Sequence, residues 1–234
     1  MASTPSNTAL RAALPLLLSL NAGYVDTAGF LALQGLFTAH VTGNFVTLGA
    51  SLALGTSGAI AKLLALPVFC AVVIVTQLLG TLLSRRSASV FETLLGLKVL
   101  LLAAGAALAI NFGPFHNGDS WRAILTGMVL VAAMAMQNAI HRVHLGSAPP
   151  STLMTGTTTQ IMLDLADMIY APKAAETKSG SRLWQMSINI LVFAIGCGGA
   201  ALLYTQFGTW CFLLPPILAS LSLIVRLFAR ASAF

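Results

Sequence analysis

The chain has 234 residues, 57% hydrophobic and 8% charged, about a third of the charged share of an ordinary soluble domain. That balance excludes a soluble globular protein, and uncharged runs such as those between Asp26 and Lys62 and between Arg182 and Arg226 exclude the alternating strands of a β-barrel. The net charge of +6 is spread over helix ends with no basic stripe, which reports membrane topology and excludes a nucleic-acid partner.

Apolar runs and their breakers predict eight helical segments. The N-terminal "MASTPSNTALRAALPLLLSLNAG" places Arg11 ahead of an apolar core, as a signal peptide would. No A-x-A site follows and the apolar pattern continues, so the stretch reads as a first helix over about 12–34. Asp26, in "AGYVDTAGF", falls well inside it. An ionised carboxylate near the bilayer centre costs about 2.5–3.5 kcal/mol on insertion scales, so Asp26 must face the interior with a partner or a proton. It is either a proton or ion-coupling residue or a hydrogen-bond acceptor for a buried helix start.

The second segment, about 40–55, is too short for a comfortable crossing and lies in "GLFTAHVTGNFVTLG". A half-helix beginning near Thr42 has free backbone N–H groups and a partial positive charge. Thr42 is a suitable N-cap, and Gly43 permits close backbone approach. The third and fourth segments cover about 62–84 and 92–112, and the polar loop "GPFHNGDS" fills 113–120. The fifth, about 121–143, carries Asn138, which with Asn21 suits interhelical hydrogen bonding or solute contact. His141 and His144 stand three apart, too few ligands for a metal.

The sixth segment, about 153–170, carries Thr155, Gly156, Thr157, Thr158, Thr159, Gln160, Asp164 and Asp167, too polar for a full lipid-facing crossing. Asp164 and Asp167 share a helix face, lining an inner vestibule or pairing with Lys173, Lys178 or Arg182. "KAAETKSGSR" (173–182) reads as a solvated loop. The seventh segment, about 182–204, holds "GCGGA", where Gly196, Gly198, Gly199 and Ala200 allow close helix crossing. The eighth covers about 209–229. Cys70, Cys197 and Cys211 lie in apolar runs at spacings that match neither zinc nor disulfide patterns, and read as small hydrophobic filler.

"HVTGNFVTLGASLA" (40–53) aligns with "LMTGTTTQIMLDLA" (153–166) at an offset of 113, laying Thr42-Gly43 on Thr155-Gly156. This predicts a duplication, residues 1–112 and 113–234. If all eight segments crossed, Arg85, Arg86, Lys98 and Arg142 would lie outside; if the second and sixth re-enter, only Lys62 and Arg122 do. The positive-inside rule therefore predicts six crossings plus two re-entrant half-helices, both termini cytoplasmic. Three crossings per half invert the second half, as in transporters built from discontinuous helices.

In that arrangement the residues expected to bind substrate are Thr38, His40, Thr42, Gly43, Asn44, Thr155, Gly156 and Thr157, whose hydroxyl, amide and backbone groups suit a small polar or anionic solute. Asp26 supplies proton or ion coupling, and Asn21, Asn138 and Asp164 stand behind. No P-loop, GxSxG, HExxH or CxxC motif is present, so no catalytic residue, cofactor or metal is expected. The reading is an all-α polytopic membrane protein acting as a secondary permease or channel, its partners the bilayer and an unknown small solute, with a homodimer compatible. Two alternatives stay open. One is an intramembrane enzyme acting on a lipid-like substrate through Asp26 and His40. The other is a non-transporting membrane partner protein.

"AGYVDTAGFLALQGLFTAHVTGNFVTLGASLA" and "PPSTLMTGTTTQ" resemble the signature blocks of the bacterial YoaK family, small multi-spanning inner-membrane proteins with a domain of unknown function. The resemblance covers almost the whole chain. It implies a bacterial inner-membrane location and about six spans, with Asp26, His40, Thr42, Gly43, Asn44, Thr155 and Gly156 as motif positions without assigned roles, and it implies no substrate.

Overall fold

The computed structural model describes residues 5–86, 89–152, 154–170 and 179–231. The chain forms α1 (Pro5–Ala32), α2 (Gly43–Leu54), α3 (Ala59–Arg85), α4 (Val90–Phe112), α5 (Trp121–His144), α6 (Met154–Tyr170), α7 (Ser179–Phe207), a 3-10 turn η1 (Gly208–Leu213) and α8 (Leu214–Ala231). No strand occurs among the described residues.

These helices follow the eight expected segments with four local differences, the first being that α1 begins at Pro5 rather than near residue 12. The second helix begins at Gly43 rather than near residue 40. Residues 173–178 of the expected loop, with Lys173 and Lys178, lie outside the described residues, whereas Ser179 to Arg182 are helical and open α7. The eighth segment starts as η1 and becomes α-helix only at Leu214. Pro215 and Pro216 explain the restart: proline lacks an N–H and clashes with the preceding turn, so it is accommodated in a helix's first turn, where no intrahelical N–H bond is needed.

The core is built around α1 and α5. Leu18, Ala22, Val25, Ala28 and Ala32 recur at helical spacing on α1 and are all buried. The most apolar window of α5 is 67% buried against 22% for α3, which makes α5 central and α3 peripheral. α1 packs on α7 and α8, α5 packs on α3 and α4, α2 lies on α3, α6 lies on α7, and α4 meets α8. Exchanging α1 with α5, α2 with α6, α3 with α7 and α4 with α8 turns the first six of these contacts into one another and α4–α8 into itself.

Among the described residues four runs are long and apolar enough to cross a membrane: Ala59–Arg85, Val90–Phe112, Trp121–His144 and Ser181–Ala231. The last has 51 residues and contains α7, η1 and α8. A straight helix of that length would measure roughly 76 Å, more than twice the hydrocarbon thickness. It is broken at Gly208, whose φ of +56° lies in the left-handed region. Leu78 and Leu82 on α3, Leu191 and Ile195 on α7, and Ile217 and Ile224 on α8 are exposed, as lipid-facing residues are.

Gly23 and Gly196 set the α1–α7 crossing. A Cβ at Gly23 would lie 2.2 Å from the Phe193 carbonyl oxygen, and one at Gly196 would lie 2.2 Å from that of Leu20. Gly198 and Gly199 meet nothing within 4 Å, so of the expected small-residue cluster only Gly196 and the buried Ala200 pack. The Tyr24 hydroxyl donates to the Cys211 carbonyl at 2.8 Å, fixing η1 on α1. Arg226 pairs with Glu92 at 3.0 Å between α8 and α4. The loop after α4 caps α3, because Asp119 accepts from the N–H groups of Gly58 and Ile60 at 2.8 Å each.

Candidate functional site

The stretch before α2 is organised by two side chains, Asn44 and Asp26. Asn44 accepts from the Phe37 N–H at 2.9 Å and donates to the Phe37 carbonyl at 2.8 Å, closing the loop as a neighbouring strand would. From α1, Asp26 Oδ1 accepts from the N–H groups of Thr38 and Ala39 at 2.7 Å each, with His40 N–H and the Thr38 hydroxyl at 3.4 Å. Successive N–H groups converging on one point form an anion nest, and the anion here is the chain's own carboxylate. Gly43 is needed because a Cβ there would come within 3.0 Å of the Phe37 ring.

The expected free N–H groups at the start of α2 are therefore not available. Those of Gly43, Asn44 and Phe45 bond to the carbonyls of His40, Val41 and Thr42 at 2.9, 3.1 and 3.2 Å. Thr42 is not the expected side-chain cap either: its backbone is already helical at φ −67° and ψ −24°, so its hydroxyl makes no capping bond. Tight i→i−3 bonds replace both functions.

The start of α6 differs. Thr155 and Gly156 are exposed, and a Cβ at Gly156 would meet open space. Both line a cavity of about 390 Å³ whose other wall carries Asp26, Phe37 and His40, with Phe193 and Cys197 from α7. The cavity thus joins Asp26, His40, Thr155 and Gly156 of the sequence-predicted residues. It does not join Thr38, buried in the loop, Asn44, buried in the first turn of α2, Thr42 and Gly43 at the α2 start, or the buried Thr157. Asp26 makes no hydrogen bond through Oδ2 to a described residue, which leaves that oxygen available at the cavity wall.

The supporting residues divide in the same way. Asn138 Oδ1 accepts from Thr152, a cavity-wall residue, at 2.5 Å. Asn21 lines no wall of this cavity; both of its amide atoms are buried without a partner among the described residues, as is Lys98 Nζ on α4. Asp164 is buried between Gln160, at 2.8 Å, and Arg182, at 3.0 Å through Nε, while Asp167 on the same helix is exposed. Hydrogen bonding by the Arg182 guanidinium holds the Asp164 carboxyl below its usual range. A depressed carboxyl contributes stability above its unfolded value and loses it as pH falls through the folded one. Arg182→Gln should therefore lower stability near neutrality, and its deficit against the parent should shrink in acid denaturation below about pH 4; a deficit constant with pH would show that the pair does not set stability.

Phe37, Thr152, Phe193 and Cys197 on the cavity wall, and Gly29 behind it, are among the site residues that sequence reasoning missed. Gly29 admits the Thr38 methyl, 2.8 Å from where a Cβ would stand, and its signal was its place three residues after Asp26. Among the described residues no three His, Cys, Asp or Glu side chains gather as a metal site requires.

The comparisons agree with this composition of helices and motifs. The chain is 29% identical over 208 residues to UPF0700 transmembrane protein YoaK of Bacillus subtilis (strain 168), covering 86% of this chain and 88% of that protein. No solved structure matches. The family described as protein of unknown function (DUF1275) matches residues 14–225, a span that takes in Asp26, both Thr-Gly blocks and the cavity between them, and the chain belongs to that family.

Proposed function

We propose that the protein is a secondary permease or channel for a small polar or anionic solute, held in the cavity between Asp26 and His40 on one side and Thr155 and Gly156 on the other. The observation that carries this reading is the cavity itself, about 390 Å³ and walled by residues before one half-helix and at the start of the other. Irregular backbone at membrane depth is tolerated where it lines such a cavity. The exchange of helix contacts between the halves supports two inverted repeats, residues 1–112 and 113–234, with six crossings, α2 and α6 re-entrant and both termini cytoplasmic in a bacterial inner membrane.

Asp26 has two roles in this reading. Its Oδ1 holds the 38–40 loop, and its Oδ2 takes the coupling proton that an anionic solute needs before approaching a carboxylate. The intramembrane-enzyme alternative is less well supported, since Asp26 meets the His40 backbone and not its ring, and an acid–base pair works through the ring.

Cys197 is a built-in reporter, because it lines the cavity, while Cys211 is buried and Cys70 faces outward. In a Cys70→Ser background, N-ethylmaleimide should alkylate Cys197 in the folded protein. A panel of small polar and anionic solutes should contain one that slows this several-fold in the parent and not in Thr155→Val, and that same solute should enter proteoliposomes. Absence of both protection and uptake across the panel would sink the transport reading.

A further inference from the structure

A second cavity, about 460 Å³, lies between α3, α5 and the 146–152 segment. It stands to α5, α3 and that segment as the first cavity stands to α1, α7 and the 37–40 loop, matching the exchange of helices between the halves. Thr152 belongs to the walls of both.

The chemistry of this second wall is the reverse of the first. It carries Arg142, His141, Asn138, Ser151 and Thr152 and no carboxylate. Arg142 is exposed and makes no ion pair with a described residue. The described acids are committed elsewhere or distant in sequence: Asp26 holds the 38–40 loop, Glu92 pairs with Arg226, Asp119 caps α3, Asp164 pairs with Arg182, and Asp167 is exposed on α6. Ser151 Oγ accepts from Gln137 Nε2 at 3.1 Å, so its own hydrogen is available to donate. Asn138 uses one amide hydrogen on the Met134 carbonyl at 3.0 Å and retains the other. A guanidinium with neutral donors beside it and no acidic side chain is the donor set that recognises oxyanions.

We propose that this cavity binds a small oxyanion, a carboxylate or phosphate, through Arg142 with Asn138 and Ser151 as neutral donors. The binding site stands independently; that its ligand is the transported solute rests on the permease reading. Thr152, on the walls of both cavities, donates its hydroxyl to Asn138 Oδ1 at 2.5 Å and so ties the second site to the first.

The test is thermal unfolding of the purified full chain in detergent with sodium acetate, benzoate or phosphate at constant ionic strength. At least one should raise Tm with a saturating dose dependence. Arg142→Gln should weaken its apparent affinity at least tenfold, Arg142→Lys should weaken it less, and Arg85→Gln on another helix end should leave it unchanged. No stabilisation by any of the three, or an equal loss in Arg85→Gln, overturns the site. Arg142-dependent binding without Cys197 protection or uptake would keep this site and remove the permease reading, whereas protection of Cys197 without Arg142 dependence would do the opposite.

Discussion

Replacing Asp26 by alanine should lower the unfolding free energy by about 2–6 kcal/mol, because two buried N–H groups lose their acceptor at about 1–3 kcal/mol each. The groups are those of Thr38 and Ala39, each 2.7 Å from Asp26 Oδ1. Asp26→Asn should lose less, since an amide oxygen still accepts but without the charge that roughly doubles such bonds. Chemical denaturation in micelles gives the magnitude, and hydrogen exchange at residues 38 and 39 gives the location. An alanine variant within about 0.5 kcal/mol of the parent, the range of a neutral surface change, would mean that the carboxylate does not anchor the loop. The pair of variants also separates the two roles of Asp26: if Asn retains the fold and loses proton-dependent uptake, Oδ2 is the coupling atom.

The α1–α7 crossing should respond with opposite signs within four residues of α7. Gly196→Ala places a methyl 2.2 Å from the Leu20 carbonyl oxygen, and Gly23→Ala places one 2.2 Å from that of Phe193. Both obstacles are backbone, so the helices must separate, at about 1–3 kcal/mol or more for overpacking. Gly198→Ala and Gly199→Ala meet no neighbour within 4 Å and should be neutral or raise stability by about 0.5–1 kcal/mol, the ordinary gain of alanine over glycine in a helix. Midpoints of thermal unfolding for the four variants in one detergent decide it, and destabilisation in all four would mean that helix packing does not distinguish these glycines.

The helices were legible because their signals are local: apolar runs, prolines and the polar 113–120 loop mark where each begins and ends. The Thr-Gly offset of 113 carries the proposed duplication at the level of sequence. What the sequence concealed was which polar residues face solute and which face their own backbone. Thr42 and Asn44 look like ligand groups in a list of residue types, yet Asn44 spends its amide on Phe37 and Thr42 makes no capping bond. The anchoring of the same loop by Asp26 is a contact across twelve residues that no local pattern encodes. Cys197 and Phe193 entered the cavity wall for a similar reason, since only the α1–α7 packing brings them there. For Asp164 the sequence left an inner vestibule and a pairing with Lys173, Lys178 or Arg182 both open, and the fold pairs it with Arg182.

The turn between α7 and α8 also bears on how the chain enters a bilayer during synthesis. From Arg182 to Arg226 no ionisable carboxylate, lysine or arginine intervenes, and the reversal at Gly208 is made by residues such as Trp210 and Phe212. The earlier turn at 113–120 contains Asp119. Carrying a charged group through hydrocarbon is the main barrier to translocating a short loop. Between Arg182 and Arg226 the α7–η1–α8 segment has none, so the turn at Gly208 would meet no charge barrier in passing through hydrocarbon.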